Sequence, residues 1–395
     1  MAAHSETPRG QTLPAQDKTL FARSDNERLI LTLINRFGEI PASSIAKETG
    51  LSAQSASVIS RLLETQGLVV KGEPVRGRIG KPSVPIMLNR DGAFSIGLRI
   101  GRRSADLVLI DLACETRGTL RQTYKFPTPK VILDFVKAGI EELVGALHPS
   151  VQNRIAGIGV GAPFELWKWL DNTSVPKDEM LAWKAFDFVT AFRSFTDLPI
   201  FVSNDTSMSC IGEHAFGSAK ALSDFAYFYI GSFVGGGVIL NNHLYLGESG
   251  NAAAFGSFPI RDRDGNWGQL IGSASLFQLE NMLERRFPGE AQRMLQAEDW
   301  LGFDDLLDRW LQDTAGNLAY AIVMAVAAYD VPKVVIDGSI PPAIRKRLTD
   351  MVTQEMQNAD TRGIRTPAIQ EGILGNMAGA LGAAYQPIAM QILSE

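Results

Sequence analysis

Between Asn26 and Leu88 the spacing of apolar residues changes several times within a short stretch. Leu29, Ile30, Leu33, Ile34 and Phe37 follow the i, i+3, i+4, i+7 rule of one helix face, and Gly38 stands where that helix should stop. Pro41 opens a second helix over residues 43–49 with Ile45 and Ala46 inward, and Gly50 ends it in a turn. Ser52 is the N-cap candidate of a third helix over 53–65. Ala56, Ile59, Leu62 and Leu63 make its inner face, leaving Gln54, Ser55, Ser57, Ser60 and Arg61 to point elsewhere. After Gly67, residues 68–70 read as a strand, 73–81 as a loop punctuated by Gly and Pro, and 84–88 as the returning strand. This order outlines a winged helix-turn-helix, with a protein-interaction or dimerisation module as the alternative. Short polar side chains at the start of the third helix suit base edges and phosphates in a major groove, so Ser52, Gln54, Ser55, Ser57 and Arg61 are the candidate DNA contacts there.

Past Asp91 the pattern becomes strands alternating with helices. Residues 95–100, 105–111 and 119–126 read as an antiparallel meander, 130–147 as a long helix, and 155–161 as a buried strand. A helix over 187–196, a strand over 200–203 and a helix over 206–217 follow. Strands at 225–230, 237–240 and 244–246 then repeat the hairpin arrangement. A helical region over 306–329, a strand over 333–337 and a small-residue helix over 375–384 complete the reading. Glycine-rich turns at Gly101 and at 231–237 follow apolar strands in both halves, which points to a duplicated α/β fold with a cleft between lobes. Such turns either cradle phosphates or are simply tight hairpins.

Charge sharpens the N-terminal reading. Residues 1–92 hold 12 basic and 9 acidic residues, a net of +3, whereas the other 303 hold 26 and 34, a net of −8. Arg76, Arg78 and Lys81 give the wing the positive field that phosphates require. Length implies two or three structural units. Cys114 and Cys210 are too few for a disulfide framework or a four-thiolate zinc site, which fits a reducing cytoplasm. Residues 1–22 carry no apolar core and are expected to form a disordered tail. The charge-free stretches 226–247 and 317–329 are broken by polar residues or too short to span a bilayer, so no membrane partner is expected.

Several motifs together resemble the ROK family of sugar-responsive repressors and sugar kinases. They are Thr49-Gly50-Leu51-Ser52, Gly80-Lys81-Pro82, Gly159-Val160-Gly161-Ala162-Pro163, Asn204-Asp205, the 231–237 run, Gly247-Glu248-Ser249-Gly250-Asn251-Ala252, and Asp337-Gly338-Ser339. The resemblance implies an α/β protein, a winged helix-turn-helix over 23–90 followed over 91–395 by a two-lobed actin-like ATPase domain. The second lobe would start near 206, and a terminal helix over 375–385 would return to the first. It also implies a homodimer or homotetramer on a double-stranded DNA operator, with a sugar or sugar derivative in the cleft.

Departures from the family pattern shape the expected chemistry. Family kinases carry Asp-Ile-Gly-Gly-Thr in the first phosphate loop; here the place reads Arg99-Ile100-Gly101-Arg102-Arg103, without the metal-side carboxylate and with a long side chain where the backbone should approach phosphate. The family's zinc positions are Ser257, Gly265, Trp267 and Gly272, none of them a thiolate or imidazole, and its sugar-contacting Glu is Ala254. No cofactor, metal or catalysis is therefore expected. Asp205, which matches the catalytic base, and Asn204 can still hold hydroxyls, although Asn204 can equally cap the next helix. Glu165 and Trp167 offer a carboxylate beside an aromatic face, or core anchors, and the resemblance adds Asn251 to the ligand set. The expected function is a regulator that senses a sugar; the alternatives are a sugar kinase or a ligand-independent DNA-binding scaffold.

Overall fold

The structure, a computed structural model, describes residues 21, 23–74, 84–164, 177–261, 265–292, 294 and 300–394. Arg76, Arg78 and Lys81 of the expected wing, Glu165 and Trp167, and all of the expected tail except Phe21 lie outside them. Phe21 itself is buried in the N-terminal apolar cluster.

The N-terminal segment comprises α1 (Asp25–Phe37), β1 (Glu39–Pro41), α2 (Ala42–Thr49), α3 (Ala53–Thr65), β2 (Val69–Lys71) and β3 (Pro85–Leu88), with sheet order β1-β3-β2. Ser24 and Glu27 form a reciprocal capping box on α1, and Ser52 caps α3 by accepting from Ser55 N–H at 3.0 Å. Gly38 and Gly50 end the first two helices at φ +75° and +71°, a region that penalises a Cβ. The buried faces differ from the sequence reading. Helix α1 buries Ile30, Leu31 and Ile34 while Leu29 and Phe37 are exposed, and α3 buries Ala56, Ser60 and Leu63 while Leu62 is 44% exposed. The row 56, 60, 63 is the one that meets α1 and α2, and a serine is small enough to pack there.

The rest of the chain builds two sheets of the same design. The first contains β4 (Phe94–Ile100), β5 (Ser104–Asp111), β6 (Thr116–Thr123), β7 (Ile155–Ala162) and β8 (Ile200–Asn204), ordered β6-β5-β4-β7-β8. Helices α4 (Pro129–Gly145), α5 (Lys177–Leu181) and α6 (Phe188–Phe192) belong to this half, and α7 (Asp205–Phe216) follows β8 directly. The second sheet contains β9 (Phe225–Ile230), β10 (Val234–Leu240), β11 (His243–Leu244), β14 (Lys333–Gly338) and β15 (Ala368–Glu371), ordered β11-β10-β9-β14-β15. In each, an antiparallel meander continues into two parallel strands. Between β11 and β14 lie the ribbon β12 (Pro259–Arg261) and β13 (Trp267–Gln269), then α8 (Leu276–Arg286) and α9 (Asp304–Tyr329). Helix α10 (Pro342–Asn358) precedes β15, and α11 (Ala378–Gln391) ends the chain.

Strand alternation sets the layers. Ile96, Leu98 and Ile100 of β4 face α4, whereas Gly97 faces α11. Ala226, Phe228 and Ile230 of β9 face α9 and α10, whereas Phe225, Tyr227 and Tyr229 face α7. Helices α7 and α11 therefore fill the space between the two sheets. They cross within backbone contact: a Cβ on Gly382 would fall onto Met208 O and lie 2.7 Å from Gly212 N. Helix α11 extends to Gln391 through Pro387, past the residue-384 limit read from sequence, because its burial against β4 and β7 outweighs the one hydrogen bond the proline removes.

The sequence reading ends the 231–237 turn at Gly237 and starts the strand there, three residues later than the structure does. Gly231–Phe233 is the turn, and Gly235, Gly236 and Gly237 are strand β10. Thr206, Phe255 and Cys210 press on the three positions, and a Cβ on Gly237 would stand 2.5 Å from that of Cys210. Among the described residues no helix is long and apolar enough to cross a membrane.

Candidate functional site

Two regions carry the candidate chemistry. On α3, Ser52, Gln54, Ser55, Ser57 and Arg61 are all exposed, as a reading face requires. The Ser52 and Ser55 hydroxyls bond each other at 2.8 Å, and Arg61 donates to Ser57 Oγ at 2.9 Å, so the arginine is held along the helix rather than free in solvent.

This face is joined to the rest of the molecule. Ile30, Leu31, Ile34, Ile45 and Leu63 share one apolar cluster with Val108 and Ile110 of β5 and with Ala384, Ile388 and Ile392 at the end of the chain. Arg28 of α1 donates to the carbonyls of Leu393 and, at 3.2 Å, Ala389, while Ser394 N–H donates to Thr32 Oγ1 at 2.7 Å. Asn89 Nδ2 and Arg154 hold the carbonyls of Gly67 and Gly92 at the other end of the junction.

The second region is a cleft of about 480 Å³ between the sheets. Asn204, Asp205 and Asn251, all named from sequence, line it together with Phe164; Glu165 and Trp167 lie outside the described residues. Asn204 Oδ1 caps α7, accepting from Thr206 N–H at 2.9 Å, Thr206 Oγ1 at 2.7 Å and Ser207 N–H at 3.3 Å. Its amide nitrogen makes no hydrogen bond among the described residues, so capping and ligand contact are compatible in one side chain. Burial raises the pKa of Asp205, and the nearby Arg99 guanidinium pulls it back only in part.

Four arginines line the same cleft: Arg99, Arg102 and Arg103 of the motif quoted from sequence, and Arg121, which the sequence reading did not single out. Arg99 (β4), Asp106 (β5) and Arg121 (β6) are successive cross-strand neighbours, so one carboxylate lies between two guanidiniums at 3.4 and 3.5 Å. Burial opposes the charge on Arg99, but Tyr229, Asp106 and Asp205 outweigh it and raise its pKa. Its guanidinium lies 5.6 Å from the Tyr229 ring. Arg102 and Arg103, in the turn between β4 and β5, both reach Glu280 of α8 at 3.6 Å, and Arg102 lies 5.6 Å from the Phe233 ring. Glu280 was not singled out from sequence: Leu276, Leu279 and Leu283 mark its helix at i, i+3, i+7, but nothing local shows that this helix, far along the chain, packs beside the β4–β5 turn. The long side chain that the sequence places at Arg102 thus ends in an ion pair with α8.

The donor set does not fit zinc. Ser257 lines the cleft and Trp267 lies on β13 with its ring 4.6 Å from the Arg261 guanidinium; among the described residues no three His, Cys, Asp or Glu side chains converge on a metal position.

A profile of the ROK family matches residues 95–388. The chain belongs to the ROK family. This ROK chain is 26% identical over 367 residues to the uncharacterized protein y4fQ of Sinorhizobium fredii, covering 92% of this chain and 90% of that one. It is 25% identical to the xylose repressor of Bacillus subtilis over 240 residues, 61% of this chain and 62% of the repressor. With the DNA-binding transcriptional dual regulator NagC of Escherichia coli it shares 22% identity over 337 residues, 80% and 81% of the two. A crystal structure of a ROK family transcriptional regulator, a homolog of the E. coli MLC protein, matches with TM-score 0.65 at 19% identity over 92% of this chain and 96% of that one. A ROK glucokinase from Streptomyces griseus, solved with glucose and AMPPNP, matches with TM-score 0.55 at 19% identity over 74% of this chain and 99% of that one. Both likenesses establish the actin-like fold, and the ROK regulator extends over the larger share of this chain.

Proposed function

We propose that this ROK protein is a transcriptional regulator, a repressor of carbohydrate-metabolism genes, that binds a double-stranded operator as a homodimer or homotetramer and responds to a sugar or sugar derivative in the cleft. In this reading residues 23–90 form the DNA-binding unit and 91–395 the sensing unit, at work in the cytoplasm. The named repressors among its relatives favour the regulatory role. The observation that carries the sensing mechanism is the continuous packing from cleft to DNA-binding helices. Asp205 opens α7 in the cleft, α7 crosses α11 at Gly212 and Gly382, and the end of α11 is bonded to α1 by Arg28.

A ligand that prefers one setting of the two lobes displaces α7, and contact at backbone distance passes that displacement to α11 and α1. A tenfold change in operator affinity requires about 1.4 kcal/mol of differential ligand binding between the two settings. Phosphoryl transfer is not part of this reading: Arg99 stands paired with Asp106 at the turn where a metal-side carboxylate would be required.

Operators selected from random duplexes provide the test. Arg61→Ala is expected to weaken binding by about 1–3 kcal/mol if Arg61 reads a base, and to weaken the selected sequence more than a random one. Electrophoretic titration of both duplexes checks this. Unchanged affinity for both would remove α3 as the reading helix.

A further inference from the structure

The arginines of the cleft outnumber their partners. Arg99 and Arg121 share Asp106, and Arg102 and Arg103 share a single oxygen of Glu280, at separations of 3.4 to 3.6 Å. Charge-assisted N–H···O bonds close to about 2.7–2.9 Å when the geometry is satisfied. Arg99 makes only a long hydrogen bond to Asp106, at 3.4 Å, and Arg121 donates instead to Ser104 Oγ at 3.1 Å, while the two Glu280 pairs attract without completing such bonds. The Nε atoms of Arg99 and Arg103 are buried with no partner among the described residues, and a buried donor left unpaired carries a desolvation cost that an acceptor would offset. Burial lowers the pKa of Arg102, Glu280 raises it, and the adjacent Arg103 lowers it again, so a second anion beside it would favour the charged guanidinium. The arginines lie in the same cleft as Asn204, Asp205 and Asn251, whose size falls in the range of small-molecule sites.

We propose that the effector is an acidic sugar derivative, bearing a phosphate ester or a carboxylate, whose anionic group docks on Arg102 and Arg103 in place of Glu280 while its hydroxyls meet Asn204, Asp205 and Asn251. This rests on the sugar-sensing reading above and narrows it. A neutral sugar would leave the guanidiniums as they are; an acidic one exchanges Glu280 for its own oxygens, and because Glu280 belongs to α8 and the arginines to the β4–β5 turn, the exchange unfastens one side of the cleft from the other. Specificity then comes from unsatisfied donors that only an anion satisfies.

The test is thermal unfolding and calorimetric titration of the full chain with matched sets: hexoses, their 6-phosphates, the corresponding uronic and aldonic acids, inorganic phosphate alone, and ATP with magnesium, all at one ionic strength. At least one phosphorylated or carboxylated sugar should bind tenfold or more tightly than its neutral parent and than inorganic phosphate; which set responds distinguishes ester from carboxylate. Arg103→Gln should weaken that ligand at least tenfold, and Glu280→Gln, which removes the competitor, should tighten it. A neutral sugar binding as well as its acidic derivatives overturns the inference and leaves sugar sensing intact. Inorganic phosphate or ATP matching the best acidic sugar also overturns it. No carbohydrate of either charge binding overturns both.

Discussion

Gly382→Ala is expected to destabilise the protein by about 3 kcal/mol or more, beyond the usual cost of overpacking, because the added methyl meets backbone rather than a yielding side chain. Its Cβ would fall onto the Met208 carbonyl oxygen and crowd Gly212 N at 2.7 Å, so α7 and α11 must separate. Those two helices fill the space between the sheets, and α11 also carries the apolar contact to the N-terminal helices α1, α2 and α3. Gly316→Ala in α9 is the control, since a Cβ there meets nothing within 4 Å and should stabilise by about 0.5–1 kcal/mol through helix propensity. Urea unfolding of the two variants should move in opposite directions. Equal midpoints would mean that the α7–α11 crossing is not tight.

Arg345→Ala is expected to cost about 3–5 kcal/mol at neutral pH, as breaking one side of a buried pair does. Arg345 is buried, donating to Asp337 at 3.2 Å and to Glu371 at 2.9 Å. Asp337 also accepts from Tyr227 Oη and from Gly375 N–H, both at 3.1 Å, at the end of β14 behind Ser339 and Asn376 in the cleft wall. Burial and the nearby Glu213 push the Asp337 carboxyl up to about 6, and Arg345 holds it down. A carboxyl whose folded pKa exceeds its unfolded value binds its proton more tightly in the fold. Its favourable contribution is therefore greatest below the unfolded value and is lost as pH rises through about 6. Without Arg345 the carboxyl rises further. The variant's deficit should be smaller near pH 5, where Asp337 is largely protonated with or without Arg345 and only the packing and the Glu371 pair are lost, than near pH 8; denaturant titration at both values checks it, and a deficit independent of pH would refute the charge account.

The sequence made the long apolar strands and the capped helices legible, because their signals are local. Ser52 followed by alternating small and apolar residues placed α3, and Asn204-Asp205 placed the start of α7. Features decided by neighbours were not legible. Gly235, Gly236 and Gly237 look like a turn until α7 and Phe255 are seen pressing on them. Pro387 looks like a helix end until its helix is seen packed against a sheet. Ser60 and Leu62 exchange places because the orientation of α3 depends on α1 and α2. Within the cleft, Asn204, Asp205 and Asn251 were named from sequence, whereas the pairing of Arg121 with Asp106 needed strand register and that of Arg103 with Glu280 needed the tertiary placement of α8.

Linkage between cleft and operator is the central claim, and it is tested most directly by measuring operator affinity with and without a saturating cleft ligand, for the natural protein and for Arg28→Ala. The natural protein should change its affinity by tenfold or more on adding ligand. Arg28→Ala, which cuts the bonds from α1 to the carbonyls of Ala389 and Leu393, should still bind both ligand and operator, with that change reduced several-fold. Operator affinity that is the same with and without bound ligand in the natural protein would contradict the account.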